Sequence, residues 1–239
     1  MLKITDLTKL YKNGRGVEKL SLSVEKGHVY GFLGPNGAGK TTTLKLIVGL
    51  LSPDSGSIRF MGQEISDHFE QVMPRIGCML EAPLHYDNFS AYENMLFAAR
   101  YFPEIPRSRI DELLDLVGLS GVRKEKAGRF SLGMRQRLAL ALAMYNQPQL
   151  MILDEPLNGL DIQGMLEVRG IIKSLAEKGT TFMISSHLAH EIEKTCTHVG
   201  ILRSGRLICE DAVEVILRDF TSIEDYYIKK TTEGGNAAV

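Results

Sequence analysis

The chain has 239 residues, of which 44% are hydrophobic and 24% charged, with a formal net charge of −1. That length can bury a sizeable core, and the near-neutral balance gives no footprint for nucleic acid or an anionic membrane surface. No apolar run reaches the length of a bilayer span, and Met1-Leu2-Lys3-Ile4-Thr5-Asp6 is no signal peptide.

From Leu2 to about Ser57 short apolar–polar alternations are broken by Gly-bearing turns such as Asn13-Gly14-Arg15-Gly16, which predicts an antiparallel β layer. That layer feeds His28-Val29-Tyr30-Gly31-Phe32-Leu33, which reads as a short buried strand. It runs into Gly34-Pro35-Asn36-Gly37-Ala38-Gly39-Lys40-Thr41-Thr42, which matches the phosphate-cradling loop G-x-x-x-x-G-K-[ST] at every required position. In such a loop the glycines allow a tight turn that aims backbone N–H groups into one concavity. Lys40 reaches the β- and γ-phosphates of a nucleotide, and the Thr41 hydroxyl ligates Mg²⁺. Thr41 to Leu51 reads as the helix whose positive end faces the anion. The predicted ligand is a nucleoside triphosphate.

From about Ser90 to Asn146 the pattern turns helical. Tyr92, Met95, Leu96 and Ala99 share one face, as do Ile110, Leu113, Leu114 and Val117, and Ser90 with Glu93 forms a candidate capping box. The stripe Met95-Leu96-Phe97 is expected to pack within this insertion. Leu150-Met151-Ile152-Leu153, Thr181-Phe182-Met183-Ile184-Ser185 and Val199-Gly200-Ile201-Leu202 then read as strands of a parallel sheet with crossover helices. The first of these ends in Asp154-Glu155-Pro156, placing two carboxylates at the sheet edge where ligands bind in such folds. Asp154 is expected to hold Mg²⁺, and Glu155, pointing elsewhere, to polarise the water that attacks the γ-phosphate. Cys78, Cys196 and Cys209 show neither a disulfide framework nor metal spacing; they are expected to be buried small hydrophobes in a reducing cytosol. Thr231 to Val239 lacks an apolar face and is expected to be a disordered tail.

Phe130-Ser131-Leu132-Gly133-Met134-Arg135-Gln136-Arg137 resembles the signature sequence of ATP-binding cassette ATPases, and it precedes the Asp154-Glu155 strand as in that family. Asn158-Gly159-Leu160-Asp161 resembles the family's D-loop, and Ser185-Ser186-His187 its switch histidine. Tyr11 sits where the family stacks an aromatic ring on adenine. The resemblance covers Leu2 to roughly Leu217. It implies an α/β fold: a P-loop NTPase core with a parallel sheet, an antiparallel β layer at the N-terminus and an inserted helical subdomain. Residues 1–230 would form one domain, with the helices at about 88–146.

The resemblance further implies an ATP- and Mg²⁺-dependent ATPase whose nucleotide contacts include Val17 as well as Tyr11 and the loop residues 34–42. Lys40, Glu155 and His187 would be catalytic, with Thr41, Asp154 and Glu81 at the metal. Ser131, Leu132, Gly133 and Met134 would act in trans on the nucleotide of a second cassette, with Asp161 in the loop beside them. The chain would sit at the cytoplasmic face of the membrane, held by separate permease subunits, with no nucleic-acid partner. Two positions depart from the family: Glu81 stands where glutamine is usual after Arg75-Ile76-Gly77-Cys78-Met79-Leu80, and Leu132 where glycine is common. Glu81 and the following segment to Asn94 resemble the subfamily handling bacitracin resistance and lantibiotic immunity, which implies export of antimicrobial peptides. An importer ATPase, a non-transport cassette acting on ribosomes or DNA, and a poorly hydrolysing regulatory module are the competing readings. Glu155 speaks against the last.

Overall fold

The computed structural model describes residues 1–81 and 85–233. Ala82-Pro83-Leu84 and the segment 234–239, part of the expected tail, lie outside the described residues. Two sheets organise the chain. Strands β1 (Leu2–Leu10), β2 (Gly16–Val24), β4 (Ser55–Phe60) and β5 (Gln63–Glu64) form an antiparallel sheet in the order β2-β1-β4-β5. Strands β3 (Val29–Leu33), β6 (Ile76–Met79), β7 (Leu150–Asp154), β8 (Thr181–Ser186), β9 (His198–Arg203) and β10 (Arg206–Ala212) form the second, in the order β10-β9-β3-β8-β7-β6. It is parallel except at its edge, where β10 returns antiparallel to β9 through Ser204 and Gly205, at φ 49° and 80°. Two adjacent residues of positive φ give the twist a two-residue hairpin needs.

The helices are α1 (Lys40–Ile47), α2 (Phe69–Val72), α3 (Ala91–Ala98), α4 (Ser108–Leu116), α5 (Leu132–Ala143), α6 (Ile162–Glu177), α7 (Ala189–Thr195), α8 (Val213–Asp219) and α9 (Ile223–Glu233). Alternation along the buried strands assigns their faces. Tyr30, Phe32, Ile152 and Met183 pack with the antiparallel layer and with Leu44 and Ile47 of α1. Val29, Leu33, Met151, Leu153, Phe182 and Ile184 face the other way, into a core shared with α3 to α7. Each such aliphatic or aromatic side chain contributes about 1.5–3 kcal/mol by leaving water. The sheet is therefore held from both faces, and its strand ends become a fixed platform.

Helices α3, α4 and α5 occupy the interval between β6 and β7. The capping box is formed: the Ser90 hydroxyl accepts from Glu93 N at 3.1 Å, and Glu93 Oε2 accepts from Ser90 N at 2.7 Å. Met95 is buried, while Phe97 meets Tyr86, Phe89 and Tyr101 in an aromatic cluster on the outer face of the insertion.

Three expectations need correction. Helix α1 stops at Ile47 rather than Leu51, because Gly49 at φ 72° turns the chain and Leu50 N donates back to Lys45 O at 2.9 Å. Residues 231–233 are helical, not a disordered tail. Ile223 and Tyr226 bury the root of α9, and the Thr231 hydroxyl donates to Tyr227 O at 2.8 Å, which carries the helix on. Cys196 is buried as expected, but Cys209 is only half-buried and Cys78 exposed, since β6 is an edge strand with an uncovered side there.

Candidate nucleotide site

Strands β3, β7 and β8 are buried at every residue and run in register, with Leu33 opposite Ser186 and Asp154 opposite Ser185. Their carboxyl ends thus deliver the phosphate loop, the Asp154-Glu155 pair and the Ser186-His187 turn to one edge. Strand spacing of about 4.8 Å puts the first two roughly 10 Å apart with the third between them. Parallel topology makes this convergence, since every strand ends on the same side.

The loop's backbone is dictated by contacts that exclude side chains. A Cβ on Gly34 would lie 2.4 Å from Leu202 O, and one on Gly39, at φ 106°, would lie 2.7 Å from Val17 Cγ1. Val17 is fully buried behind Gly39, so it shapes the loop from beneath rather than lining the cleft. The cleft itself is lined by Tyr11, by residues 36–42 and by Glu155. Tyr11 is 42% exposed, which removes it from the core and leaves its ring free to stack. Asn13, Arg15 and Gly16 also line the cleft, and sequence reasoning missed them as ligand groups. Their signal was the turn Asn13–Gly16, closed by Arg15 N donating to Asn13 Oδ1 at 3.1 Å and by Tyr11 N donating to Arg15 O at 2.8 Å.

Lys40 is buried, and its ammonium donates to Gly34 O at 2.7 Å and Pro35 O at 3.3 Å while standing 3.4 Å from Glu155 Oε1. Glu155 Oε2 lies 2.8 Å from His187 Nδ1. The catalytic candidates thus form one connected chain, Lys40–Glu155–His187. Glu155 sits at φ 49°, held there by its own N–H, which donates to Ser185 Oγ at 3.0 Å and Ser185 O at 3.2 Å. Ser185 is a fourth residue whose role sequence reasoning missed, since the motif Ser185-Ser186-His187 points only to the histidine. Its hydroxyl also donates to Asp154 Oδ1, so one side chain orients both acids.

Thr41 Oγ1 donates to Asp154 Oδ2 at 2.8 Å. A hydroxyl and a carboxylate, both hard oxygen donors with no nitrogen or sulfur beside them in the pair, fit Mg²⁺ rather than a softer metal. The third expected ligand is not brought to them. Glu81 instead pairs with Lys45 on α1, and that hydrogen bond raises the Lys45 pKa above its ordinary value.

Residues 131–134 do not line the cleft either. Ser131 caps α5, its hydroxyl accepting from Met134 N at 3.2 Å, and it is exposed. Leu132 is 41% exposed and leans on Gly159 in the loop before α6, so the branched side chain turns toward its own D-loop. Asp161 caps α6, accepting from Gly164 N at 2.8 Å.

A phosphate loop, a strand-end acid pair and a histidine joined in this order are accompanied by a sequence match: residues 17–158 fit the family model described as ABC transporter. The chain belongs to the ABC transporter family. It is 46% identical over 211 residues to the bacitracin transport ATP-binding protein BcrA of Bacillus licheniformis, covering 88% of this chain and 69% of that protein. It is 43% identical over 210 residues to the lantibiotic transport ATP-binding protein SrtF of Streptococcus pyogenes, covering 88% and 90%. A solved structure described as the ATP binding subunit of an ABC transporter superposes with a TM-score of 0.82 at 28% identity, over 97% of this chain and 99% of that one. As an ABC ATPase the chain binds and hydrolyses ATP. Among the described residues no helix is long and apolar enough to cross a membrane.

Proposed function

We propose that this ABC ATPase powers the export of antimicrobial peptides, hydrolysing ATP in a two-cassette sandwich attached to separate permease subunits at the cytoplasmic face of the membrane. The observation that carries the catalytic part is the Lys40–Glu155–His187 chain at the mouth of the phosphate loop. Tyr11 stacks on adenine, residues 34–42 wrap the phosphates, and Lys40 leaves its carbonyl partners for the β- and γ-oxygens. Thr41 and Asp154 would hold Mg²⁺, which would supply positive charge against the phosphate oxygens. Glu155 accepts a proton from the attacking water, and His187, hydrogen-bonded to it, orients the carboxylate and meets the γ-phosphate.

The far side of the γ-phosphate is left to a second cassette, whose Ser131 and the N–H groups after it complete the charge-stabilising shell, with Asp161 in the adjoining loop. Gly133 supports this division of labour. Its nearest neighbours to a hypothetical Cβ are 3.8 Å or more away, so nothing within this chain requires a glycine there. Gly133→Ala should therefore keep or slightly raise the melting temperature, since alanine favours a helix by about 0.5–1 kcal/mol. ATP-driven dimerisation, followed by light scattering, should be lost. A destabilised monomer, or dimerisation at wild-type strength, would reject the role in trans.

The groove between α1 and α5, lined by Lys45, Leu50, Leu80, Glu81, Ala139 and Leu142, is the proposed seat for a short permease helix. The cargo reading draws on the similarity to the bacitracin and lantibiotic transport proteins. Deleting the gene should sensitise the host to a bacitracin- or lantibiotic-type peptide, and complementation with wild type but not Glu155→Gln should restore resistance. Unchanged peptide sensitivity together with loss of uptake of a nutrient would reassign the protein to import.

A further inference from the structure

A carboxylate at position 81 poses an electrostatic problem. The strand β6 runs parallel to β7 with Met79 opposite Leu153, so the chain leaves the sheet at the level of Asp154 and Glu81 follows at the same edge. An additional negative charge at that edge repels a bound triphosphate, as a neutral side chain would not. The backbone at Glu81 is left-handed, φ 60°, a conformation that disfavours a residue with a side chain. Its side chain is 64% exposed, yet it is bonded to Lys45 Nζ. An ion pair so exposed adds little to folding, so stability alone does not account for the arrangement.

The position of Lys45 does. Thr41 and Lys45 are four residues apart on α1 and therefore share a face, with Cβ atoms about 5–6 Å apart. Thr41 is bonded to Asp154; Lys45 lies one helical turn farther from the phosphate loop. We propose that Lys45 is a positioning residue for ATP binding: it holds the Glu81 carboxylate one turn beyond the Thr41–Asp154 pair and supplies its counter-charge. Without that ammonium the carboxylate is free to swing toward Thr41, where it opposes the γ-phosphate. This rests on the assignment of Thr41 and Asp154 to the metal-bound phosphate end of the cleft.

The test is a double-mutant cycle read as equilibrium affinity of the full chain for a non-hydrolysable ATP analogue with Mg²⁺, and separately for ADP. Lys45→Met should weaken analogue binding about five- to tenfold and ADP binding less than twofold, because the repulsion is centred on the γ-phosphate. Lys45→Arg should stay within twofold of wild type. Glu81→Gln alone should bind as tightly as wild type or tighter, and Lys45→Met combined with Glu81→Gln should return to within twofold of wild type. Equal weakening by Lys45→Met in both backgrounds would overturn the proposal, since Lys45 would then act on the nucleotide directly. So would wild-type affinity in Lys45→Met, or a loss of Mg²⁺-dependent binding in Glu81→Gln. A wild-type chain that binds neither nucleotide would instead remove the site assignment itself.

Discussion

Replacing Glu155 by glutamine should lower the ATPase rate about 10²- to 10⁴-fold while leaving ATP affinity within a few-fold of wild type. The rate figure is the range a positioned general base contributes. The affinity expectation comes from geometry. Glutamine is isosteric, its amide oxygen can still accept from His187 or face Lys40, and the backbone hydrogen bonds from Glu155 N to Ser185 do not involve the side chain. What disappears is basicity, together with the negative charge that holds Lys40 back over its own loop at 3.4 Å. Lys40 should therefore be at least as available to phosphate in the variant. With hydrolysis blocked and binding retained, ATP·Mg²⁺ should accumulate a dimer visible by light scattering or gel filtration. Equal ATPase rates in wild type and Glu155→Gln would overturn the assignment of the base, and a strictly monomeric variant with ATP bound would overturn the sandwich.

The elements most legible in the sequence were those whose residues carry one strong demand. Leu150–Leu153 reads as a buried strand because no polar residue interrupts it, and the structure extends it only to Asp154. Ser90 and Glu93 announce a helix start because two backbone donors need those two acceptors at that spacing. The convergence of Thr41 with Asp154, and of Glu155 with His187, followed from strand order, since parallel strands ending at one edge leave little choice.

What escaped was set by pairing between distant segments. Ser185 reads as the last residue of an apolar strand, and only its register opposite Asp154 makes it the hydrogen-bonding partner of both acids. Ser204-Gly205 between two apolar runs signals the β9–β10 turn, but a turn of that kind also ends a crossover strand, so the sequence does not specify the antiparallel return. The family resemblance puts Glu81 at the metal, and its pairing with Lys45 leaves no trace in the sequence because the contact joins a helix to a strand end 36 residues away. Helix α9 has a polar end that resembles a tail, and its anchor is tertiary: Tyr226 donates to Asp211 on β10, and Ile223 N donates to Glu193 of α7.

Lys40→Ala should cost about 10²-fold or more in affinity for ATP·Mg²⁺. In the free protein the ammonium is buried against two backbone carbonyls and a carboxylate, so it is already desolvated and exchanges those partners for phosphate oxygens rather than leaving water. Hydrogen bonds to charged groups contribute about 1.5–3 kcal/mol each, and the loss of even one such bond at that upper value is a factor of about 10². The expected signature is thermal as well as calorimetric. ATP at 100 times its dissociation constant stabilises a protein by about 2.7 kcal/mol, which for a chain of this size raises the melting temperature by about 5–11 °C. That shift should vanish in Lys40→Ala at the same ATP concentration. Lys40→Arg should not restore it, because a planar guanidinium does not fit the space in which Gly34 O stands 2.7 Å from a compact ammonium. A full ATP-induced shift in Lys40→Ala would mean that the backbone amides of residues 36–42 hold the phosphates without the lysine, and that its place beside Glu155 serves the resting state instead.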